Sequence, residues 1–393
     1  MRYLKKWILV LVGSSLLFHA KEKEVGLIPT SFSRVYTNHP TEKIEPQLQT
    51  YGKSVALIDG NSGRILYEKN GRQELPMAST TKIMTCMLIL EEYDLEKMIT
   101  VSAQAEKQPK VKLQIRQGEK YCVKDLLYPL MLESDNDVAV ALAEGCAGSV
   151  DCFVKKMNQK AKELGCIHTH FVTPNGLDAT GHYTTAEDLC KIAAYALKNS
   201  RFQSIITTQK YSFHEQNTNR SFCVSNKNAF LEMFPGAVGV KTGFTNRAGY
   251  CFAGAVKQGN SLFVSATLAA GWPPNKSYKW SDTKQLMTYG IHHFTPMMLY
   301  SKFVLPKKRR VWKNRYITVK TKSYHPTLLM DGSELQEVYI EWEKINGAVK
   351  KGQEIGKVYY FIDKKIWVIK PIMAAEDAEK KSNNRFIDFK IWR

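Results

Sequence analysis

Acidic residues are scarce in this chain: Lys and Arg outnumber Asp and Glu by 56 to 37, a formal charge of +19. An anionic partner is therefore more natural than a cationic one. No basic stretch is interleaved with aromatics in the manner of an RNA- or DNA-binding motif, so nucleic acid is set aside as a partner. The eight cysteines include no Cys-x-x-Cys pair and no zinc spacing, and the nine histidines form no ligand pattern. His292-His293 reads as a surface pair at a helix end. No metal and no organic cofactor is expected. The N-terminal apolar run, residues 7–18, has twelve residues and is too short to span a bilayer comfortably.

That run follows Arg2, Lys5 and Lys6 and precedes polar sequence, the layout of an export signal. Phe18-His19-Ala20 puts a large residue where a cleavage site favours a small one. Residues 1–20 are accordingly read as a signal peptide or, alternatively, a retained anchor, and the protein as extracytoplasmic. The stretch from residue 301 carries 21 Lys/Arg against 11 Asp/Glu, about half of the basic excess. It reads equally well as a solvated surface or as an anion site. The cysteines are scattered, several in apolar helical stretches (Cys86, Cys146, Cys190), and read as mostly buried thiols. A local Cys146–Cys152 bridge is the alternative.

A length of 393 residues leaves room for two or three domains. Residues 21–50 are polar, with prolines at 29, 40 and 46, and read as a linker. A hairpin then starts: Ser54-Val55-Ala56-Leu57-Ile58-Asp59, a turn at Gly60-Asn61-Ser62-Gly63, and Arg64-Ile65-Leu66-Tyr67. Over 79–94 the pattern is helical, with Ile83, Met84, Met87 and Leu88 on one face. Further helices are predicted at 123–131, 137–147, 152–164 and 185–198, with a loop at 171–178. Strands follow at 238–241, 249–257 and 261–270, the last two joined at Gln258-Gly259-Asn260, and then a closing helix at 282–289. The fold class predicted for residues 51–295 is α+β, an antiparallel sheet flanked by a helical cluster. Strand-like runs at 311–319, 337–342, 358–361 and 366–369 predict a small all-β domain over 301–375. The tail, 376–393, mixes Arg385, Lys390 and Arg393 with Phe386, Ile387, Phe389, Ile391 and Trp392. It reads as a candidate amphipathic anchor against a membrane surface, or as an ordinary terminus.

Three short strings carry the chemistry: Ser79-Thr80-Thr81-Lys82, Ser134-Asp135-Asn136 and Lys241-Thr242-Gly243. Each is weak alone. Ser281 to Lys284 repeats the first spacing and Ser382 to Asn384 the second, and only the set at 79, 134 and 241 runs in that order. A serine needs a base, and a lysine three residues along a helix lies on the same face. Lys82 must be neutral part of the time, which burial and a nearby cation such as Lys241 favour. Backbone N–H groups at Ser79 and Phe244 could face an oxyanion. Ser134 could shuttle a proton to the leaving amine, and Asn136 could bind a substrate amide. Lys241 and Thr242 could hold a terminal carboxylate, with Gly243 letting substrate backbone lie along the strand. The bland readings are an N-cap serine, a capping turn and a strand end. Asp135 reads as a turn residue.

Taken together with their flanks, these motifs resemble the serine D-alanyl-D-alanine carboxypeptidases, the low-molecular-weight penicillin-binding proteins. The likeness takes in Pro76-Met77-Ala78 before the first motif, Asp125-Leu126-Leu127-Tyr128, Asn175-Gly176-Leu177-Asp178 with His182-Tyr183, and Gly239-Val240 before the third. It implies that Ser79 is the acylated nucleophile, Lys82 the general base, Ser134 and Asn136 the second-motif pair, and Lys241 the carboxylate-side lysine. The implied substrate is the peptidoglycan stem peptide, and the implied inhibitors are β-lactam antibiotics. Members often use an arginine after the third motif for the carboxylate; here Lys276 and Lys279 stand in that stretch. Alternatives within the superfamily are a β-lactamase, a DD-endopeptidase or a transpeptidase. A penicillin-binding scaffold of slow turnover is the non-enzymatic reading. The loop at 171–178 lacks the glutamate that some β-lactamases use for deacylation.

Overall fold

The computed structural model describes residues 33–41, 48–218, 220–312, 315–321 and 324–379. The export segment and the tail from 380 onward lie outside the described residues. These residues divide into two compact units, one of 48–294 and one of 33–41 with 295–379.

The first unit is built on a five-stranded antiparallel sheet in the order Ile65–Lys69, Ser54–Asp59, Ser261–Leu268, Gly249–Gln258, Ala237–Thr245. Ser54–Asp59 is buried at every position, which is why it reads as a continuous apolar run. Alternation divides its residues between two helical layers. Ala56 and Ile58 join Val264 and Ala266 in a core shared with the helices. Among those, Lys82–Glu92 is buried nearly all round and Ala186–Ala196 sends Cys190 Sγ toward the carbonyls of Ala56 and Val264. Leu57 and Phe263 face the opposite layer, the helix Tyr278–His293, where a Cβ on Gly290 would lie 2.8 Å from Leu57. Val123–Leu132, Asn136–Ala147 and Val150–Glu163 complete the cluster. The predicted α+β architecture is the observed one.

Several elements differ from expectation. The strand at the third motif runs through the whole of it, Ala237–Thr245, as the sheet edge. The closing helix, Tyr278–His293, is twice as long as the predicted 282–289: it gains four residues at each end, with polar Lys279 buried in the N-terminal extension. Ser200–Thr207 and the hairpin of Lys210–His214 with Ser221–Ser225 were not anticipated. All eight cysteines are free; four are buried, Cys152 and Cys223 are exposed, and there is no Cys146–Cys152 bridge.

The second unit is a six-stranded antiparallel sheet in the order Ser33–Thr37, Gln336–Trp342, Glu354–Ile362, Lys365–Ala374, Arg315–Lys320, Lys308–Trp312. Val338, Ile340, Val358, Tyr360 and Ile372 form its core. Two corrections follow. The run at 311–319 is a hairpin of two strands, not one. Ser33–Thr37, inside the stretch read as a linker, pairs with Gln336–Trp342, with Arg34 bonded to Glu337 at 3.2 Å. Its two apolar residues give too little periodicity, and its partner is three hundred residues away.

Candidate active site

Ser79 lies in a 3-10 turn, Ala78–Thr81, that leads directly into the helix Lys82–Glu92. Ala78 holds a left-handed φ of 47° there, a strained conformation for a residue with a side chain. The turn is locked by its own hydroxyls: Thr80 Oγ1 donates to Met77 O at 2.7 Å and Thr81 Oγ1 to Ala78 O at 2.8 Å. On one side the turn presses against the edge strand, where a Cβ on Gly243 would lie 3.0 Å from Ser79 N and 3.1 Å from Met77 O. The glycine of the third motif thus makes room for the Ser79 turn, a closer constraint than the substrate strand expected of it. On the other side is Gly176, with φ +85° and a hypothetical Cβ 2.0 Å from Ala78 O.

Lys82 is fully buried. Its Nζ donates to Ser79 Oγ at 3.0 Å, Asn136 Oδ1 at 2.9 Å and Asn175 O at 2.6 Å. Two of these acceptors cannot give a proton back. When the amine is neutral they take its two N–H groups, so its lone pair faces Ser79 Oγ. Burial, and after it the charge of Lys241, hold the Lys82 amine well below the usual lysine range, against the opposing pull of Asp135 and Asp137. The structure therefore favours the form that can accept a proton.

The second motif sits where Val123–Leu132 gives way to Asn136–Ala147. Ser134 takes a left-handed φ of 76°. Asn136 is held by backbone: its N–H donates to Val111 O at 2.8 Å and its Nδ2 to Pro109 O at 3.2 Å. Asp137 secures the same loop by accepting from the N–H groups of Leu113, Gln114 and Ile115. Ser134 Oγ is buried and has no hydrogen-bond partner, so the bond to Lys82 from this motif comes from Asn136. Asp135 is more than the turn residue expected from sequence. It is 1% exposed, its Oδ2 has no partner, and its side chain does not cap the helix. Burial, then Asp137 and Glu133, push its carboxyl up to about 8.

Lys241 is buried on the edge strand and donates to Thr242 O at 3.1 Å. Burial brings its amine down to about 7, with Asp135 opposing. Thr242 is half-buried and Phe244 is exposed, its ring tilted against Tyr250 at a centroid distance of 4.6 Å. Lys279 is buried over the rings of Tyr250 and Trp280, and its Nζ donates a hydrogen bond to Lys276 O at 2.8 Å. Ser281 and Lys284 lie on the helix Tyr278–His293, away from this arrangement.

Sequence reasoning places Asn175 within a family-like string but gives it no role; its main-chain oxygen is an acceptor for both Lys82 Nζ and, at 3.4 Å, Ser79 Oγ. The Asn175-Gly176 dipeptide, a turn signal, and the resemblance of the 175–178 string mark the segment, but not its carbonyl.

Comparisons with known proteins identify the family. Residues 40–271 match the family model described as D-alanyl-D-alanine carboxypeptidase. The chain is 31% identical to the D-alanyl-D-alanine carboxypeptidase DacF of Bacillus subtilis, over 91% of this chain and 93% of that one. It is 28% identical to DacC of Escherichia coli, over 82% and 83%. The crystal structure of the Streptomyces K15 DD-transpeptidase superposes with a TM-score of 0.59 at 30% identity, covering 63% of this chain and all of that one. DacD of Francisella tularensis, at 23% identity, shares the fold over 87% of this chain and 98% of its own, with a TM-score of 0.65. With the Ser79 turn set between the Lys-Thr-Gly edge strand and a buried lysine, and with more than half its length matched, this chain belongs to the D-alanyl-D-alanine carboxypeptidase family.

Proposed function

We propose that the protein is an exported serine DD-carboxypeptidase that removes the terminal D-alanine of peptidoglycan stem peptides through an acyl-enzyme at Ser79. The observation that carries this reading is the contact of Ser79 Oγ with a buried Lys82 whose remaining bonds turn its lone pair toward the hydroxyl. Lys82 takes the Ser79 proton as Oγ attacks the carbonyl of the penultimate D-alanine. The oxyanion forms against the N–H groups of Ser79 and Phe244. The Ser134 hydroxyl, unbonded at rest, turns to take the proton from Lys82 as it gives its own to the leaving amine, and D-alanine departs. Water then cleaves the ester by the same route reversed. Asn136 binds the substrate amide, and Lys241 and Thr242 hold its terminal carboxylate. A β-lactam opens on Ser79 in the same way and leaves a slowly hydrolysed ester.

Each step uses a side chain or backbone N–H of this chain, and no cofactor enters it. The basic surface suits the anionic outer face of a cell envelope, with contact to the membrane surface. Among the described residues no helix is long and apolar enough to cross a membrane.

The test is release of free D-alanine from a synthetic stem pentapeptide, measured beside covalent labelling by a fluorescent penicillin. Release and stable labelling by the native protein, both lost in Ser79→Ala, are expected. Labelling without release identifies a scaffold, and rapid loss of label a β-lactamase. Transfer to an added amine in place of hydrolysis identifies a transpeptidase, the activity named for the K15 relative.

A further inference from the structure

A buried histidine outside the three motifs is built into the back of the site. His182 is 5% exposed. Its Nδ1 accepts from Val172 N–H at 3.0 Å and from Thr173 N–H at 3.4 Å. A nitrogen that accepts from an N–H carries a lone pair, so the ring proton sits on Nε2. That nitrogen lies 2.8 Å from Thr81 Oγ1, and the Thr81 hydroxyl in turn donates to Ala78 O at 2.8 Å. The relay thus has one direction: Nε2–H to Thr81, Thr81 to the carbonyl of the strained residue before the nucleophile.

The other end of the ring holds a second part of the site. Val172 and Thr173 open the loop whose next residues touch the nucleophile helix. Pro174 O accepts from Thr85 Oγ1 at 2.6 Å, and Asn175 O accepts from Lys82 Nζ at 2.6 Å. Gly176 then packs directly on Ala78 O. One imidazole therefore joins the turn that aims Ser79 to the loop that aims Lys82.

Resting on the assignment of Ser79 as nucleophile, we propose that His182 is a positioning residue for acylation, a neutral clip that fixes the Ser79 turn against the Asn175 loop through Thr81. Its charge state fits that role. A proton added at Nδ1 would confront the N–H of Val172. Burial, and then His170, bring the ring down to about 4, with Asp178 alone opposing. Small displacements of a nucleophile from its base cost large factors in rate, whereas the groups that grip the substrate carboxylate and amide lie on other elements. Loss of the clip should slow bond formation and leave ground-state binding nearly intact.

The experiment measures β-lactam acylation under conditions that separate the noncovalent dissociation constant from the acylation rate constant. His182→Asn keeps an acceptor near Nδ1 and loses the donor to Thr81; Thr81→Val loses the relay hydroxyl and Thr81→Ser keeps it. His182→Asn and Thr81→Val are expected to acylate about 10–100-fold more slowly, with binding changed less than about threefold. Thr81→Ser should stay within about threefold of the native rate, and the His182→Asn/Thr81→Val pair should be no slower than the slower single variant. A native acylation rate in His182→Asn, accompanied by a lower melting temperature alone, overturns the proposal; so does additivity of the pair. Because a variant may unfold, nitrogen-15 NMR of the native protein is a second reading. A neutral ring protonated at Nε2 at pH 6 supports the clip, and an imidazolium there overturns it. Failure is separable from failure of the nucleophile assignment: in the first case Ser79→Ala remains unlabelled, in the second it is labelled.

Discussion

Lys82 Nζ lies 3.0 Å from Ser79 Oγ, and its two other hydrogen bonds go to oxygens that can only accept or have no proton to return. The position of the base is thus set by Asn136 and Asn175, and its readiness to accept a proton by burial. Lys82→Arg keeps the charge but removes the option of deprotonation. Acylation by a β-lactam should fall by about 10²–10⁴-fold, read as the second-order labelling rate. A rate near that of the native protein would show that the proton goes elsewhere.

Lys241 acts on Lys82 through charge. As a cation it lowers the Lys82 pKa, so its removal raises that pKa. Lys82 must be neutral to work, and the acid limb of the acylation profile follows it. In Lys241→Met the midpoint of that limb should move to higher pH, whatever happens to the maximum. An unmoved midpoint would mean that Lys241 serves the substrate carboxylate and not the base.

Gly176 tests the close packing behind Ser79. A Cβ there would meet Ala78 O at 2.0 Å, whereas Gly259, also at positive φ, has nothing within 4 Å. Gly259→Ala should cost ~1 kcal/mol from backbone strain alone. Gly176→Ala should cost about 2 kcal/mol or more, with a melting temperature lower by roughly 4–8 °C and slower acylation. Equal losses in the two variants would contradict the packing argument.

Much of this was legible in the sequence, and for a local reason. Ser79 and Lys82 are one helical turn apart and Ser134 and Asn136 flank one residue, so spacing alone places each pair. Hydrophobic period located the sheet strands and most helices. What the sequence did not show were contacts that are non-local or carried by backbone, even where, as at Asn175 and His182, the residues themselves stood in a family-like string. A carbonyl such as Asn175 O has no letter of its own. His182 meets Thr81 across a hundred residues, and Ser33–Thr37 meets Gln336–Trp342 across three hundred. Asp135 was misjudged because Ser-Asp-Asn looks like a helix start, although its side chain caps nothing and is buried.

That buried carboxyl has a consequence for stability. Its pKa is raised from 3.8 to about 8 in the folded protein. The native state therefore holds this proton more tightly than the unfolded chain does, and the contribution is destabilising as pH rises from about 4 toward 8. Asp135→Asn should flatten the fall in melting temperature between pH 5 and pH 8. A fall as steep as in the native protein would assign the slope to other groups.

The central claim is that one hydroxyl, that of Ser79, carries the acyl group. Tandem mass spectrometry of the penicillin-labelled protein addresses it most directly. The account predicts a single adduct on the peptide containing Ser79, with fragment ions placing it on that residue, and no adduct in Lys82→Arg after the same brief exposure. An adduct on Ser134, Ser281 or any other side chain would contradict it.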